Sequence, residues 1–222
     1  MKTFLSIGSG PGMGLATAER FAKEGFQVVL SARNAAKTQE FARQLNAKGL
    51  KADARTVNAA EPSSIASLIA DVEKRVGSIE VLHYNVASIR KATLEEQPRD
   101  TFNTDLAVNI GGALVAVQSV ASKMSERGAG TILLTGGGLA LEPNPDYLSL
   151  SIGKAGIRAM AHALFHGLRE KGIHVATVTV AAVVAPGSKN ADAVAEHFWQ
   201  LHSQPKGSWA SEVKYLAQSV YR

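Results

Sequence analysis

The sequence predicts an α/β fold built on a parallel β-sheet. Short apolar runs rich in strand-forming residues alternate with longer segments of helical period along the chain. This alternation is typical of βαβ units, in which consecutive strands run parallel. The 222 residues are enough for one such domain with a substantial core. No composition break, repeat or low-complexity tract divides them, so we expect a single domain over residues 1–222.

Each predicted strand is followed by a segment of helical pattern. The strands are predicted at 3–7, 27–31, 52–57, 81–84, 131–135 and 174–180, with a seventh at 212–215. The helices that follow the first six strands are predicted to begin near Gly12, Ala35, Pro62, Arg99, Tyr147 and Asp192. Pro62 suits the first turn of its helix because it lacks an N–H group. Asp146 is expected to be the N-cap of the helix near Tyr147.

The composition argues against several classes of function. The net charge of +5, from 24 basic and 19 acidic residues, is scattered without interleaved aromatic residues, which favours a solvated surface over nucleic-acid binding. The absence of cysteine excludes disulfides and thiol catalysis. No apolar run approaches the roughly 20 residues of a membrane span. The first residues lead directly into a strand and a turn, so we expect no secretory signal and a cytoplasmic location.

A glycine cluster directly follows the first predicted strand and opens the first predicted helix. It contains Gly8, Ser9, Gly12, Met13 and Gly14. Glycines let the backbone approach a diphosphate closely, and the amino end of the helix offers free N–H groups to it. The alternative is a glycine-rich turn without a ligand, because lone glycine motifs are weak evidence. The spacing is Gly-x-x-x-Gly-x-Gly and does not match G-x-G-x-x-G.

This spacing resembles the short-chain dehydrogenase/reductase family, and other segments agree over roughly residues 1–200. Asn85 lies in a variant of the family's Asn-Asn-Ala-Gly segment, Asn109 lies in a segment similar to its Asn-Val-x-Gly, and Lys154 stands where the family has a catalytic lysine. The resemblance implies a Rossmann-type doubly wound sheet of about seven parallel strands with helices on both faces. It also implies a nicotinamide cofactor, a small-molecule substrate and a homodimer or homotetramer.

The second strand indicates which cofactor is bound. Sites for NAD(H) usually place a carboxylate about 20 residues beyond the glycine turn, but residues 30–34 contain none. Arg33 in this stretch could pair with a 2′-phosphate, so NADP(H) is favoured over NAD(H), the alternative being a surface arginine. The resemblance further implies cofactor contacts from Asn58, Asn85, Lys154 and the backbone of Val183. Asn58 replaces the family's usual aspartate.

The expected reaction centre departs from the family pattern. Asn109 and Lys154 are present, but the tyrosine position is Leu150 and the serine position is Gly137 or Gly138. Leucine has no exchangeable proton and glycine offers only its backbone N–H. The usual general acid–base route is therefore closed.

Four nearby hydroxyl groups are weighed as substitute acids, each against a packing role: those of Tyr147, Ser149, Ser151 and Thr135. His162 and His166 lie four residues apart on one predicted helix, but no third ligand accompanies them, so no metal site is expected.

Three functions remain open at this point. The first is an NADP(H)-dependent oxidoreductase with an altered proton donor, and the second is a catalytically silent NADP(H)-binding sensor or assembly partner. A third, a lyase or isomerase, lacks a clear acid and base pair. Leucines around the vacant tyrosine position suggest an apolar substrate; they are Leu139, Leu141, Leu148 and Leu150.

Overall fold

A computed structural model describes residues 2–216, which contain one parallel sheet of seven strands in the order β3-β2-β1-β4-β5-β6-β7. The strands are β1 (Thr3–Ile7), β2 (Gln27–Ala32), β3 (Ala52–Thr56), β4 (Ile79–Tyr84), β5 (Gly130–Thr135), β6 (Ile173–Ala181) and β7 (Glu212–Leu216). The helices are α1 (Met13–Lys23), α2 (Ala35–Ala47), α3 (Pro62–Arg75), α4 (Thr101–Leu106), α5 (Gly112–Arg127), α6 (Leu148–Glu170) and α7 (Lys189–Ser203). The predicted Rossmann-type α/β fold is confirmed.

Helices cover both faces of the sheet. On one face α3, α5 and α6 pack over a core that includes Ile65, Val120 and Ile157, all at most 2% exposed. On the other face α1, α2 and α7 pack over a second core that includes Phe21 and Phe198. Two apolar layers explain why the strands read as nearly continuous apolar runs instead of alternating ones.

Several element ends differ from the sequence prediction. The residue before α6 is Tyr147, not Asp146, and its side chain makes no capping bond. The reason is the preceding turn, in which the side-chain oxygen of Asn144 accepts from the Asp146 N–H at 2.8 Å and holds Asp146 outside the helix. Helix α7 begins at Lys189, three residues earlier than expected, because the Ser188 hydroxyl caps it by accepting from the Ala191 N–H.

A continuous helical stretch, Thr101–Arg127, follows β4. It comprises α4, a π-helical turn at Ala107–Gly111, and α5. By length and composition this one stretch among residues 2–216 could cross a membrane. Its buried side packs against α3 and β4 within the core, as expected of a helix that covers one face of a parallel sheet.

The topology creates a crevice at the carboxyl end of the sheet. The chain leaves β1 toward α1 on one face, while the chain that leaves β4, the neighbour of β1, leads toward α5 on the other. In open parallel sheets, ligands bind at this reversal of direction.

Candidate active site

The glycine turn after β1 has a shape that side chains would prevent. Gly8 has a φ of +94°, and a Cβ there would lie 2.7 Å from the Asn85 carbonyl carbon. A Cβ at Gly14 would lie 2.8 Å from the Gly8 carbonyl oxygen. The Asn85 side chain closes the turn by donating to that same oxygen at 2.9 Å. Glycine at positions 8 and 14 is therefore required for the turn to reach β4.

The start of α1 is open to an anion. Gly12 stands at the N-cap with no capping side chain, and the first turn contains no acidic residue. The first N–H groups of a helix have no partner within it, and the helix dipole adds positive potential there. The Ser9 hydroxyl instead accepts from the Ser31 N–H at 3.0 Å and so ties the turn to β2.

Two cavities flank this turn. The first, of about 470 Å³, lies beyond β2; we call it the β2 cavity, and its wall includes Gly8, Ser9, Gly10, Arg33, Lys37, Asn58, Asn85 and Ala87. The second, of about 770 Å³, lies beyond β5; we call it the β5 cavity, and its wall includes Met13, Ala87, Gly137, Gly138, Leu150 and Lys154. The glycine turn and the start of α1 thus lie between the two cavities, which share Ala87.

The β2 cavity carries two cations without a counter-charge. Arg33 and Lys37 are exposed, and within residues 2–216 neither has a carboxylate at ion-pair distance. Lys37 lies in the first turn of α2, where the helix dipole disfavours a cation. Lys37 was not among the predicted site residues, although a lysine three residues after the N-cap Asn34 was a visible signal.

Both predicted asparagines of the β2 cavity make side-chain hydrogen bonds within the protein. Asn58 lines the wall, but its side chain donates to Glu61 at 2.7 Å and accepts from the Ala60 N–H at 3.2 Å. Asn85 lines the wall beside the turn that it closes. Both therefore shape the cavity.

Lys154 is a half-buried ionisable group on the wall of the β5 cavity. Its Nζ donates to the Thr135 carbonyl oxygen at 2.8 Å, and burial lowers its pKa to about 8. Leu150, 7% exposed, lies on the same wall at the family's tyrosine position. Of the two candidate serine positions, Gly137 is next to the lysine, since a Cβ there would lie 3.1 Å from Lys154 Cγ. A Cβ at Gly138 would instead meet Ala181 at 2.9 Å.

The four substitute hydroxyls do not line the β5 cavity. Ser149 donates to Asp105 at 3.0 Å, and Ser151 bonds to the backbone of Asn144. The Thr135 hydroxyl pairs with the buried His83 ring at 3.2 Å, and Tyr147 is half-buried at the start of α6. Their hydrogen bonds and positions favour the packing alternative over an acid role.

Beyond the glycine turn, other predicted residues also lie outside the cavity walls. Asn109 is buried in the π-helical turn, where its side chain accepts from the Ser88 N–H at 2.7 Å. Val183 is 90% exposed, and its carbonyl oxygen accepts from the Asn190 side chain. Leu148 is absent from the wall, which Leu139 and Leu141 do line.

His162 contacts Glu212 and Ser211, and no group of three or more potential ligands occurs among the residues described.

Comparisons with known proteins agree with this geometry. The family model described as short chain dehydrogenase matches residues 2–195. Gluconate 5-dehydrogenase of Gluconobacter oxydans is 25% identical over 227 residues, covering 98% of this chain and 85% of that protein.

Solved structures share the whole fold. A short-chain dehydrogenase from Rhodopseudomonas palustris has a TM-score of 0.89 at 26% identity, covering 98% of this chain and 99% of that one. A metagenomic short-chain oxidoreductase in complex with NADP has a TM-score of 0.91 at 22% identity, covering 98% of each chain. The glycine turn, the sheet order and the match over most of its length together show that this chain belongs to the short-chain dehydrogenase family of oxidoreductases.

Proposed function

We propose that the protein is an NADP(H)-dependent oxidoreductase that acts on a small apolar molecule without the family's serine and tyrosine. One observation carries the proposal: two cavities flank a side-chain-free turn at an open helix start. A dinucleotide has the matching shape, with a diphosphate between two nucleoside ends. The turn offers space for that diphosphate, and the start of α1 offers N–H groups to it.

The β2 cavity suits the adenosine end with a 2′-phosphate. Arg33 can form paired charge-assisted hydrogen bonds to a phosphate, and Lys37 adds a second cation. No carboxylate in residues 30–34 competes for them or repels the phosphate. A protein of the same fold has been solved in complex with NADP.

The β5 cavity suits the nicotinamide end and the substrate. When bound there, a reduced nicotinamide supplies a hydride. Met13 would form one wall of its site, and Lys154 would hold the ribose. Apolar side chains such as Leu139 and Leu150 leave room for an apolar substrate. Because no tyrosine supplies a proton, we favour a substrate with an activated double bond, or proton delivery from solvent.

Calorimetric titration of the double variant Arg33→Ala/Lys37→Ala tests the cofactor assignment. We expect the wild type to bind NADPH at least about tenfold more tightly than NADH, since hydrogen bonds to charged groups contribute about 1.5–3 kcal/mol. In the variant, NADPH affinity should fall about 10- to 100-fold, while NADH affinity should change less than about twofold.

Arg43→Ala is the matched control. Arg43 is an exposed cation on α2, the helix of Lys37, but it lies outside the β2 cavity and pairs with Glu40. It should leave both affinities unchanged. Tighter binding of NADH than of NADPH by the wild type would contradict the assignment, and no binding of either would contradict the function.

A catalytically silent NADP(H)-binding protein is the second candidate, favoured by the absence of tyrosine and serine hydroxyls from the β5 cavity wall as residues 2–216 form it. It predicts NADPH binding without NADPH oxidation across a panel of apolar ketones and enones. Carbonyl reduction gained by Leu150→Tyr/Gly137→Ser would show that only the proton donor is missing. Gly137 is the better serine position, because the flexible Lys154 chain can move where Ala181 cannot.

A further inference from the structure

The Lys154 side chain takes a path that the missing serine makes possible. Its methylene chain runs past Gly137, where a Cβ would lie 3.1 Å from Cγ and 3.3 Å from Cε. Its Nζ ends beside the Thr135 carbonyl oxygen, at the edge of β5. The amine thus lies at the wall of a cavity of about 770 Å³.

The surroundings of this amine disfavour its charged form. Glu142 is the other ionisable residue on the described wall, but it is exposed and makes no ion pair with Lys154. Leu139, Leu150 and Val180 make much of the wall apolar. A half-buried ammonium group without a counter-charge loses hydration, which its hydrogen bond to the Thr135 carbonyl oxygen replaces only in part. A larger share of neutral amine than at an exposed lysine follows, and the neutral amine is the nucleophile.

We propose that Lys154, in the protein without nucleotide, forms a Schiff base with apolar aldehydes or ketones that enter the β5 cavity. The neutral amine adds to the carbonyl carbon, and a proton moves from nitrogen to oxygen to give a carbinolamine. Loss of water then breaks the C–O bond and leaves a C=N bond to Nζ, and hydrolysis reverses both steps.

The choice of apolar carbonyl compounds as substrates rests on the proposed function, but formation of the imine at Lys154 requires no nucleotide. It can therefore be tested by trapping. The full-length protein is incubated at pH 7 with heptanal and sodium cyanoborohydride, which reduces an imine to a stable secondary amine. Peptide mapping by mass spectrometry then measures alkylation at each lysine over time.

We expect Lys154 to be alkylated at least about tenfold faster than the exposed lysines. An amine with a pKa of about 8, against 10.5 for an ordinary lysine, has roughly 300 times more neutral form at pH 7, and its lower basicity removes part of that advantage. Glyceraldehyde, a polar aldehyde, should lose the preference because the cavity wall is apolar.

Two variants complete the test. Lys154→Arg keeps the positive charge but forms no imine, so the fast alkylation should vanish; Lys171→Met, at the exposed end of α6, should leave it unchanged. Even alkylation of all lysines, or none at Lys154, would overturn the inference. If NADPH binds but Lys154 is not alkylated, this inference alone fails. If Lys154 is alkylated and NADPH does not bind, the Schiff base stands and the proposed cofactor fails.

Discussion

Gly8 combines two constraints that only glycine meets together. Its φ of +94° is unfavourable for other residues, and its Cα faces the Asn85 backbone. Gly25 has a similar φ of +86°, but a Cβ at that position would have no neighbouring atom within 4 Å. A comparison of substitutions at Gly8 and Gly25 therefore distinguishes the effect of backbone strain from that of steric exclusion.

We expect Gly8→Ala to lower the free energy of unfolding by about 2–5 kcal/mol, from strain of about 1–2 kcal/mol and overpacking of about 1–3 kcal/mol. Gly25→Ala should lose only the strain, about 1–2 kcal/mol. Urea denaturation measures both. Equal losses would show that the contact with Asn85 is unimportant for the turn.

At the residue scale, the sequence predicts the features that depend only on spacing along the chain. The glycine spacing and the leucine at position 150, where the family pattern has tyrosine, can be recognised in the sequence because both are defined by fixed distances along it. The environment of Lys154 is not, since it depends on packing between β5 and α6. Lys37 was missed because its meaning depends on an adjoining cavity.

At the element scale, α4 is joined to its neighbours through one buried carboxylate. Asp105, 1% exposed, accepts hydrogen bonds from four side chains on the preceding loop and α6: Ser88, Arg90, Gln97 and Ser149. Burial opposes the charged form, but the hydrogen bonds from Arg90, Ser88 and Ser149 outweigh it and keep the pKa of Asp105 below its usual range.

Asp105→Ala should therefore lower the free energy of unfolding by about 2–3 kcal/mol, since it leaves several donors without an acceptor while Arg90 stays partly solvated. Denaturation by guanidinium chloride measures the loss. Asp100→Ala is the control, because Asp100 is exposed at the start of the same helix and makes no capping bond. Similar losses in both variants would contradict the role of Asp105.

The elements themselves were predictable where apolar runs are long and bounded by turns. All seven strands lie within two residues of their predicted ends. The central strands, such as β1 and β4, are buried on both faces and therefore apolar along their length. The π-helical turn at Ala107–Gly111 left no such pattern. The N-cap of α6 was assigned to the wrong residue because Asn144, not Asp146, makes the local side-chain bond.

At the scale of the whole molecule, buried histidines predict loss of stability in acid. His83 is fully buried between Phe4 and Phe198, and burial lowers its pKa to about 3. An unfolded histidine titrates near 6.5. Below that pH the unfolded chain therefore binds a proton that the folded protein excludes, so stability is full above pH 6.5 and declines as the pH falls toward 3.

The expected slope is about 1.4 kcal/mol per pH unit for His83 alone. His202, whose pKa burial lowers to about 4, adds to it. Urea denaturation at pH 7, 6 and 5 measures the slope in the wild type and in His83→Leu. The variant should show a shallower slope by about the contribution of one histidine. Identical slopes would contradict this account.

The central claim is that backbone N–H groups at the glycine turn and the start of α1 hold the diphosphate of NADP(H). Titration of ¹⁵N-labelled protein with NADPH, followed by amide chemical shifts, tests it most directly. We predict the largest shifts at the amides of Gly12, Met13 and Gly14, at the start of α1, with smaller ones at Arg33 and Lys37. Saturating NADPH that leaves the turn amides unmoved would contradict the account.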